Sequence, residues 1–351
     1  QMKNQTSQYG GYLIFAVLAS QLRQIDYGEN NMKVFVTGVA GQLGHDVMNE
    51  LAKRGYEGIG SDIAPSYSGV QDESPVTTMP YVAMDITDKE AVCKTLTEIN
   101  PDVVVHCAAW TAVDLAEDED KQAKVKAINV DGTANIASVC KELDAKMVYI
   151  STDYVFDGQG TEPWQPDCKD YKPLNVYGQT KLDGELAVSS TLDKYFIVRI
   201  AWVFGKNGKN FIKTMLMLAK SKEKLTIIND QVGTPTSASL IADVTAQALR
   251  YYLLANDAEK IQLLGHYHLV PTGVTTWYEY AQFIFDLAKK QGETLMVKEV
   301  LPTTTDNYPT PAKRPLNSRL NNQKIQTNFQ LSLPKWQQGV EKTVIELLEK
   351  A

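Results

Sequence analysis

From Met32 onward the chain alternates short apolar runs with longer stretches in which apolar residues recur every three or four positions. The runs are Val34-Phe35-Val36, Tyr56 to Asp62, Val82 to Ile86, Pro101 to Ala109, Met147 to Thr152 and Tyr195 to Ile200. Short runs of this kind suit strands covered on both faces, as in a parallel sheet. Between them, Val47 and Leu51 mark an amphipathic helix, and a second helix begins near Lys89. A long helical pattern covers Ala123 to Leu143, and another runs through Leu186 and Ala187. This alternation predicts an α/β protein built on a doubly wound parallel sheet. From Trp202 the regularity weakens and polar loops lengthen, which predicts a smaller C-terminal α/β region covering a ligand site.

Three glycines, Gly38, Gly41 and Gly44, separate the first strand from the first helix. A glycine turn in that place lets a phosphate rest on free backbone N–H groups, with the helix dipole adding to the attraction. The spacing is G-x-x-G-x-x-G rather than the general G-x-G-x-x-G, so the position after a buried strand carries the signal. Asp62 closes the second run, where an acid accepts hydrogen bonds from an adenosine ribose. Asp85 and Ile86 close the third and fall beside an adenine; capping of the following helix is the equally open role for Asp85. The small Ala108 and Ala109 let a cofactor pass close to the fourth strand. The fold expected is therefore Rossmann-type, with residues 32–203 as an NAD(P)-binding domain and 204–351 mainly a substrate-binding region interleaved with it. Residues 1–31 read as a leader or upstream segment outside the fold; their apolar run, Gly11 to Ala19, is too short to span a bilayer.

Bulk properties narrow the partners. At 351 residues and 44% apolar content the chain can bury a large core, and a net charge of −7 argues against nucleic acid. Cys93, Cys107, Cys140 and Cys168 show no C-x-x-C spacing and read as reduced thiols of a cytoplasmic protein. With the four histidines they form no recognisable ligand cluster, so no metal and no membrane partner is expected.

The chemistry concentrates in Tyr177 and Lys181, spaced i, i+4 and so on one helix face. An ammonium beside a phenol favours the phenolate and lowers its pKa, and a tuned phenol can pass a proton to a forming alkoxide. Thr152, at a strand end, can hold the same oxygen. Arg314 offers a bidentate contact to a diphosphate, with a solvated surface arginine as the alternative.

These motifs together resemble the extended short-chain dehydrogenase/reductase superfamily and, within it, the dTDP-4-dehydrorhamnose reductase family. The resemblance is carried by Thr37–Gly44, Ala108–Asp114, Ser151–Phe156, Asn175–Lys181, Arg199–Trp202, Asp230–Thr236 and Gly265–Leu269. It implies Thr152, Tyr177 and Lys181 as a catalytic triad that reduces C4 of a dTDP-4-dehydro-6-deoxysugar with NADPH or NADH. It implies that Gly38, Gln42, Leu43, Asp62, Asp85, Ile86, Ala108, Ala109 and Thr111 line the cofactor, and that Val113, Asp153, Tyr154 and Trp202 flank the sugar. Related 4,6-dehydratases carry Asp-Glu after the strand-end Thr; Asp153-Tyr154 here fits reduction better than elimination of water. Some members of the family form dimers bridged by Mg²⁺ on glutamates; the corresponding stretch here is His45-Asp46, and a homodimer is left open. Asp62 favours NADH, since a carboxylate repels a 2′-phosphate, whereas the family is associated with NADPH. Two other readings stay open: a non-catalytic NADP-binding subunit resembling the regulatory subunit of methionine adenosyltransferase, and a nucleotide-sugar epimerase.

Overall fold

A computed structural model describes residues 32–349; the upstream segment 1–31 lies outside the described residues. The centre is a seven-stranded sheet of β1 (Lys33–Thr37), β2 (Glu57–Asp62), β3 (Tyr81–Ala83), β4 (Val103–His106), β5 (Lys146–Thr152), β6 (Tyr195–Ile200) and β7 (Gly265–His268). All pairs are parallel, in the order β7-β6-β5-β4-β1-β2-β3. The chain crosses back at β1, where the order reverses between β2 and β4, and ligands of such sheets bind at that point beyond the strand ends.

The apolar runs become strands because each has a core to bury on both sides. In β1, Val34 and Val36 enter one core layer and Phe35 the other. The same alternation holds in β4, where Val103 and Val105 oppose Val104, and in β5, where Val148 and Ile150 oppose Met147 and Tyr149. Helix α1 (Gln42–Lys53) packs on the first layer through Val47, Met48 and Leu51. Helices α2 (Lys89–Ile99), α4 (Thr133–Leu143) and α5 (Val176–Thr191) cover the second. A separate core lies between helices Phe211–Ser221, Trp277–Lys290 and Trp336–Glu349 and the strand pair Lys224–Ile228 with Glu299–Thr303.

Two details differ from the sequence expectation. The long helical pattern is broken into α3 (Glu119–Lys126), a π-helical turn Ala127–Gly132, and α4. Asn129 in that turn accepts from Trp110 N–H and donates to the Trp110 carbonyl and the Thr180 hydroxyl, so a side-chain bridge holds the widened turn. The third strand stops at Ala83, and Asp85 folds onto its own backbone by accepting from Thr87 N–H at 2.9 Å. Helix α2 is capped by Asp88 instead, which removes the capping role weighed for Asp85. Strand β7 joins the main sheet, and the helix Ala238–Leu254 packs in its first core layer.

Candidate active site

A cleft of about 760 Å³ runs across the C-terminal ends of β1, β2, β4, β5 and β6. The glycine turn forms part of its wall. Gly38 has φ +72°, and a Cβ there would lie 2.7 Å from the Ala108 nitrogen. A Cβ on Gly44 would lie 2.3 Å from the Gly38 carbonyl oxygen. Both glycines are required by the protein's own backbone. Gly41 is different: its nearest neighbour would be 3.4 Å away, so the space above it is kept open on the cleft side. Asp62 accepts from Ala40 N–H at 3.0 Å and from Ile63 N–H at 2.8 Å, which ties the end of β2 to the turn.

Beneath the turn lies a clamp that no sequence motif announced. The Thr37 hydroxyl oxygen accepts from the N–H groups of Cys107 and Ala108 at 3.0 and 3.1 Å, so its proton goes to His106 Nδ1 at 2.8 Å. That assignment leaves Nε2–H to donate to Thr133, which in turn donates to the Asn129 carbonyl. Burial pushes the His106 imidazolium down to about 3, so the ring is neutral. The only early hint was polar residues, Thr37 and His106, at the ends of apolar strands.

Thr152, Tyr177 and Lys181 stand in the wall of the same cleft. Asn175 caps α5 by accepting from Gly178 N–H at 2.7 Å, so Tyr177 and Lys181 sit in the first turns, facing β5. Lys181 donates to the Ile150 carbonyl at 2.7 Å and lies 4.3 Å from the Tyr149 ring centroid. Burial lowers its ammonium to about 8. The Tyr177 phenol, expected to be lowered by Lys181, is instead raised above its usual value. Its burial and the adjacent Asp153 carboxyl outweigh a partial offset from Thr152, and Lys181 is held by Ile150 rather than by the phenol. Asp153 is buried at 3% exposure, and desolvation pushes its carboxyl up to about 7 against the pull of the Ser318 and Thr152 hydroxyls.

Every other residue expected for cofactor or sugar also stands in the cleft wall: Gln42, Leu43, Asp85, Ile86, Ala109, Thr111, Val113, Tyr154 and Trp202. Arg314 does not. Its guanidinium forms two hydrogen bonds with Asp114, at 2.7 and 3.1 Å, outside the wall. Sequence reasoning missed Ser61, the loop Val203–Lys209 and Trp277. The loop is held over the turn by Asn207 N–H donating to Gln42 Oε1 at 2.7 Å.

The wall residues suit a dinucleotide on grounds internal to the chain. Among the described residues, the buried side-chain oxygens without a partner are Ser61 Oγ and Asp153 Oδ2, both on residues of the cleft wall. Orphans so placed point to ligand atoms that complete them. His45, by contrast, is satisfied, bonded to Asp46 at 2.8 Å and to Asp72 at 2.9 Å. Among the described residues, no group of three or more His, Cys, Asp or Glu is placed to hold a metal, and no helix is long and apolar enough to cross a membrane.

Residues 32–349 match the family model described as the RmlD substrate binding domain. The dTDP-4-dehydrorhamnose reductase of Salmonella typhimurium is 42% identical over 316 residues, covering 90% of this chain and 98% of its own. That of Escherichia coli K12 is 43% identical over 318 residues, with the same coverage. The crystal structure of the Bacillus anthracis reductase in complex with NADP superposes with a TM-score of 0.76 at 34% identity, covering 90% of this chain and 100% of that one. A Thermus thermophilus UDP-glucose 4-epimerase, 21% identical with a TM-score of 0.72, shares the fold. By its family match and by full-length relatives above 40% identity, the chain belongs to the dTDP-4-dehydrorhamnose reductase family.

Proposed function

We propose that this chain reduces the C4 keto group of dTDP-4-dehydro-β-L-rhamnose to give dTDP-β-L-rhamnose, using NADPH or NADH. One observation carries the reading: the glycine turn and the Thr152-Tyr177-Lys181 group line one continuous cleft. The reduced nicotinamide supplies the hydride when it is bound. Gly38, Gly41 and Gly44 with the start of α1 hold its diphosphate, and Asp62 and Ser61 face the adenosine ribose. Thr152 holds the carbonyl oxygen in place. Tyr177 gives its proton to that oxygen as negative charge develops there. The phenol carries its proton at neutral pH, as a donor must. Lys181 would supply positive charge to the same oxygen and hold the nicotinamide ribose. Asp153 Oδ2 and Trp202 flank the sugar.

The four cysteines, free in the structure, fit a reducing, cytoplasmic setting. A homodimer belongs to the reading and is tested by light scattering. The experiment for the reaction is a stoichiometry: purified protein, NADPH and freshly generated dTDP-4-dehydrorhamnose. One NADPH consumed per dTDP-rhamnose formed is expected. Altered sugar without NADPH loss supports an epimerase, and bound NADPH without any sugar conversion supports a binding subunit.

A further inference from the structure

The glycine turn offers a diphosphate backbone N–H groups and a helix dipole, which supply only partial positive charge. No residue from 38 to 44 is basic. The acids of the cleft wall are Asp62, Asp85 and Asp153, and its cations are Lys181 and Lys209. Lys181 is buried and donates to the Ile150 carbonyl at 2.7 Å. Lys209 is exposed and, among the described residues, makes no hydrogen bond or ion pair. Its ammonium is therefore available to a ligand.

Lys209 is carried on a loop fixed at both ends. On one side, the strand Val203–Phe204 pairs with Thr236–Ser237. On the other, Asn210 caps the helix Phe211–Ser221 by accepting from Lys213 N–H at 3.1 Å, and donates back to the Gly205 carbonyl at 2.7 Å. Lys213 Nζ donates to the Gly208 carbonyl at 2.7 Å, and Gly208 turns the chain with φ +72°. The contact with α1 is equally specific. Gln42 Nε2 donates to Asp46 Oδ2 at 3.0 Å, which leaves Oε1 to accept from Asn207 N–H at 2.7 Å. Gly205 lies so close that a Cβ there would stand 2.5 Å from Gln42 Cδ. Gln42 is the first residue of α1 and follows Gly41 directly. The loop is thus latched to the point where the diphosphate meets the helix, and Lys209 follows the latch by two residues on a long, flexible stem.

We propose that the loop 203–209 is a strap fixed across the glycine turn, and that its Lys209 binds the diphosphate of the dinucleotide. The lysine supplies the full charge that the turn lacks, from a segment more than 160 residues away in sequence. The inference rests on the dinucleotide-binding reading of the cleft.

The test is calorimetry with NADPH, with NADH, and with dTDP in the presence of NADP⁺, at low and at raised salt. Wild type is expected to bind both dinucleotides, more weakly as salt rises. Lys209→Met weakens NADPH and NADH alike by about tenfold at low salt and flattens the salt dependence, while dTDP affinity stays within about twofold. Lys209→Arg keeps dinucleotide affinity within about threefold, because the charge remains. Lys206→Met, on the same strap but outside the cleft wall, stays within about twofold of wild type. Gly205→Ala meets Gln42 and lifts the strap, so adding Lys209→Met in that background costs less than about twofold more. Unchanged dinucleotide affinity in Lys209→Met overturns the proposal, as does a loss that Lys209→Arg shares or that leaves the salt dependence intact. A loss confined to NADPH assigns Lys209 to the 2′-phosphate, a loss confined to dTDP assigns it to the sugar nucleotide, and either overturns the diphosphate contact. A wild type that binds neither dinucleotide overturns the cofactor reading itself, and the inference falls with it.

Discussion

Two parts of the cleft wall are built from different materials. At the glycine turn the wall is backbone: Gly38 and Gly44 exist because main-chain atoms 2.3–2.7 Å away would meet any Cβ. Elsewhere the wall is side chains drawn from distant segments, Asp153, Tyr177, Trp202 and Trp277 among them. At Gly38 and Gly44 a backbone wall tolerates no added atom. A side-chain wall accepts substitution and depends on whatever holds each group from behind.

That contrast breaks first at Gly44. Gly44→Ala drives a methyl into the Gly38 carbonyl, and a loss of roughly 3 kcal/mol or more is expected in urea unfolding, with NADPH binding lost as well. At Asp153 the effect is comparable and opposite in sign. The ordinary carboxyl value is 3.8 and the folded value about 7, so the folded chain keeps a proton that the unfolded chain releases. The stability tied to that proton is fully present below about pH 4 and is lost as pH rises to 7. Asp153→Asn removes this slope, and a gain of roughly 2–4 kcal/mol over wild type is expected at pH 8 with almost none at pH 4. Parallel urea titrations at the two pH values read it.

Gly41 sharpens the comparison, because its open side faces only the ligand. Gly41→Ala is expected to leave unfolding within about 1 kcal/mol of wild type while NADPH affinity, read by nicotinamide fluorescence, falls about tenfold. The smallest effect is in the pH profile. Lys181 at about 8 carries its charge below that pH and loses it above, so the reductive rate declines on the alkaline side. Lys181→Met is expected to be slower at every pH and to lack that alkaline decline.

The same contrast explains what was legible in the sequence. The strands were, because Val34-Phe35-Val36 or Tyr195–Ile200 must be buried on both faces whatever surrounds them. The glycine turn and the Tyr177-Lys181 face were, because their chemistry is set by local spacing. The π-helical turn at Ala127–Gly132 was not, since it depends on Asn129 finding Trp110 and Thr180. Trp277 was not, since the first turn of an amphipathic helix gives no sign that its indole stacks on residue 202. The lowered Tyr177 pKa was expected from Lys181 alone; the burial and the Asp153 neighbour that reverse it are tertiary facts. Arg314 looked free because its partner, Asp114, lies 200 residues away.

The central claim is that a cofactor held by the backbone part of the wall is used by a proton donor in the side-chain part. The most direct measurement is the loss of reduced-nicotinamide absorbance with dTDP-4-dehydrorhamnose in wild type and Tyr177→Phe, alongside NADPH affinity in both. The account predicts a kcat lower by about 10²- to 10⁴-fold in the phenylalanine variant, with NADPH affinity within about twofold. A Tyr177→Phe enzyme that turns over as fast as wild type would contradict it.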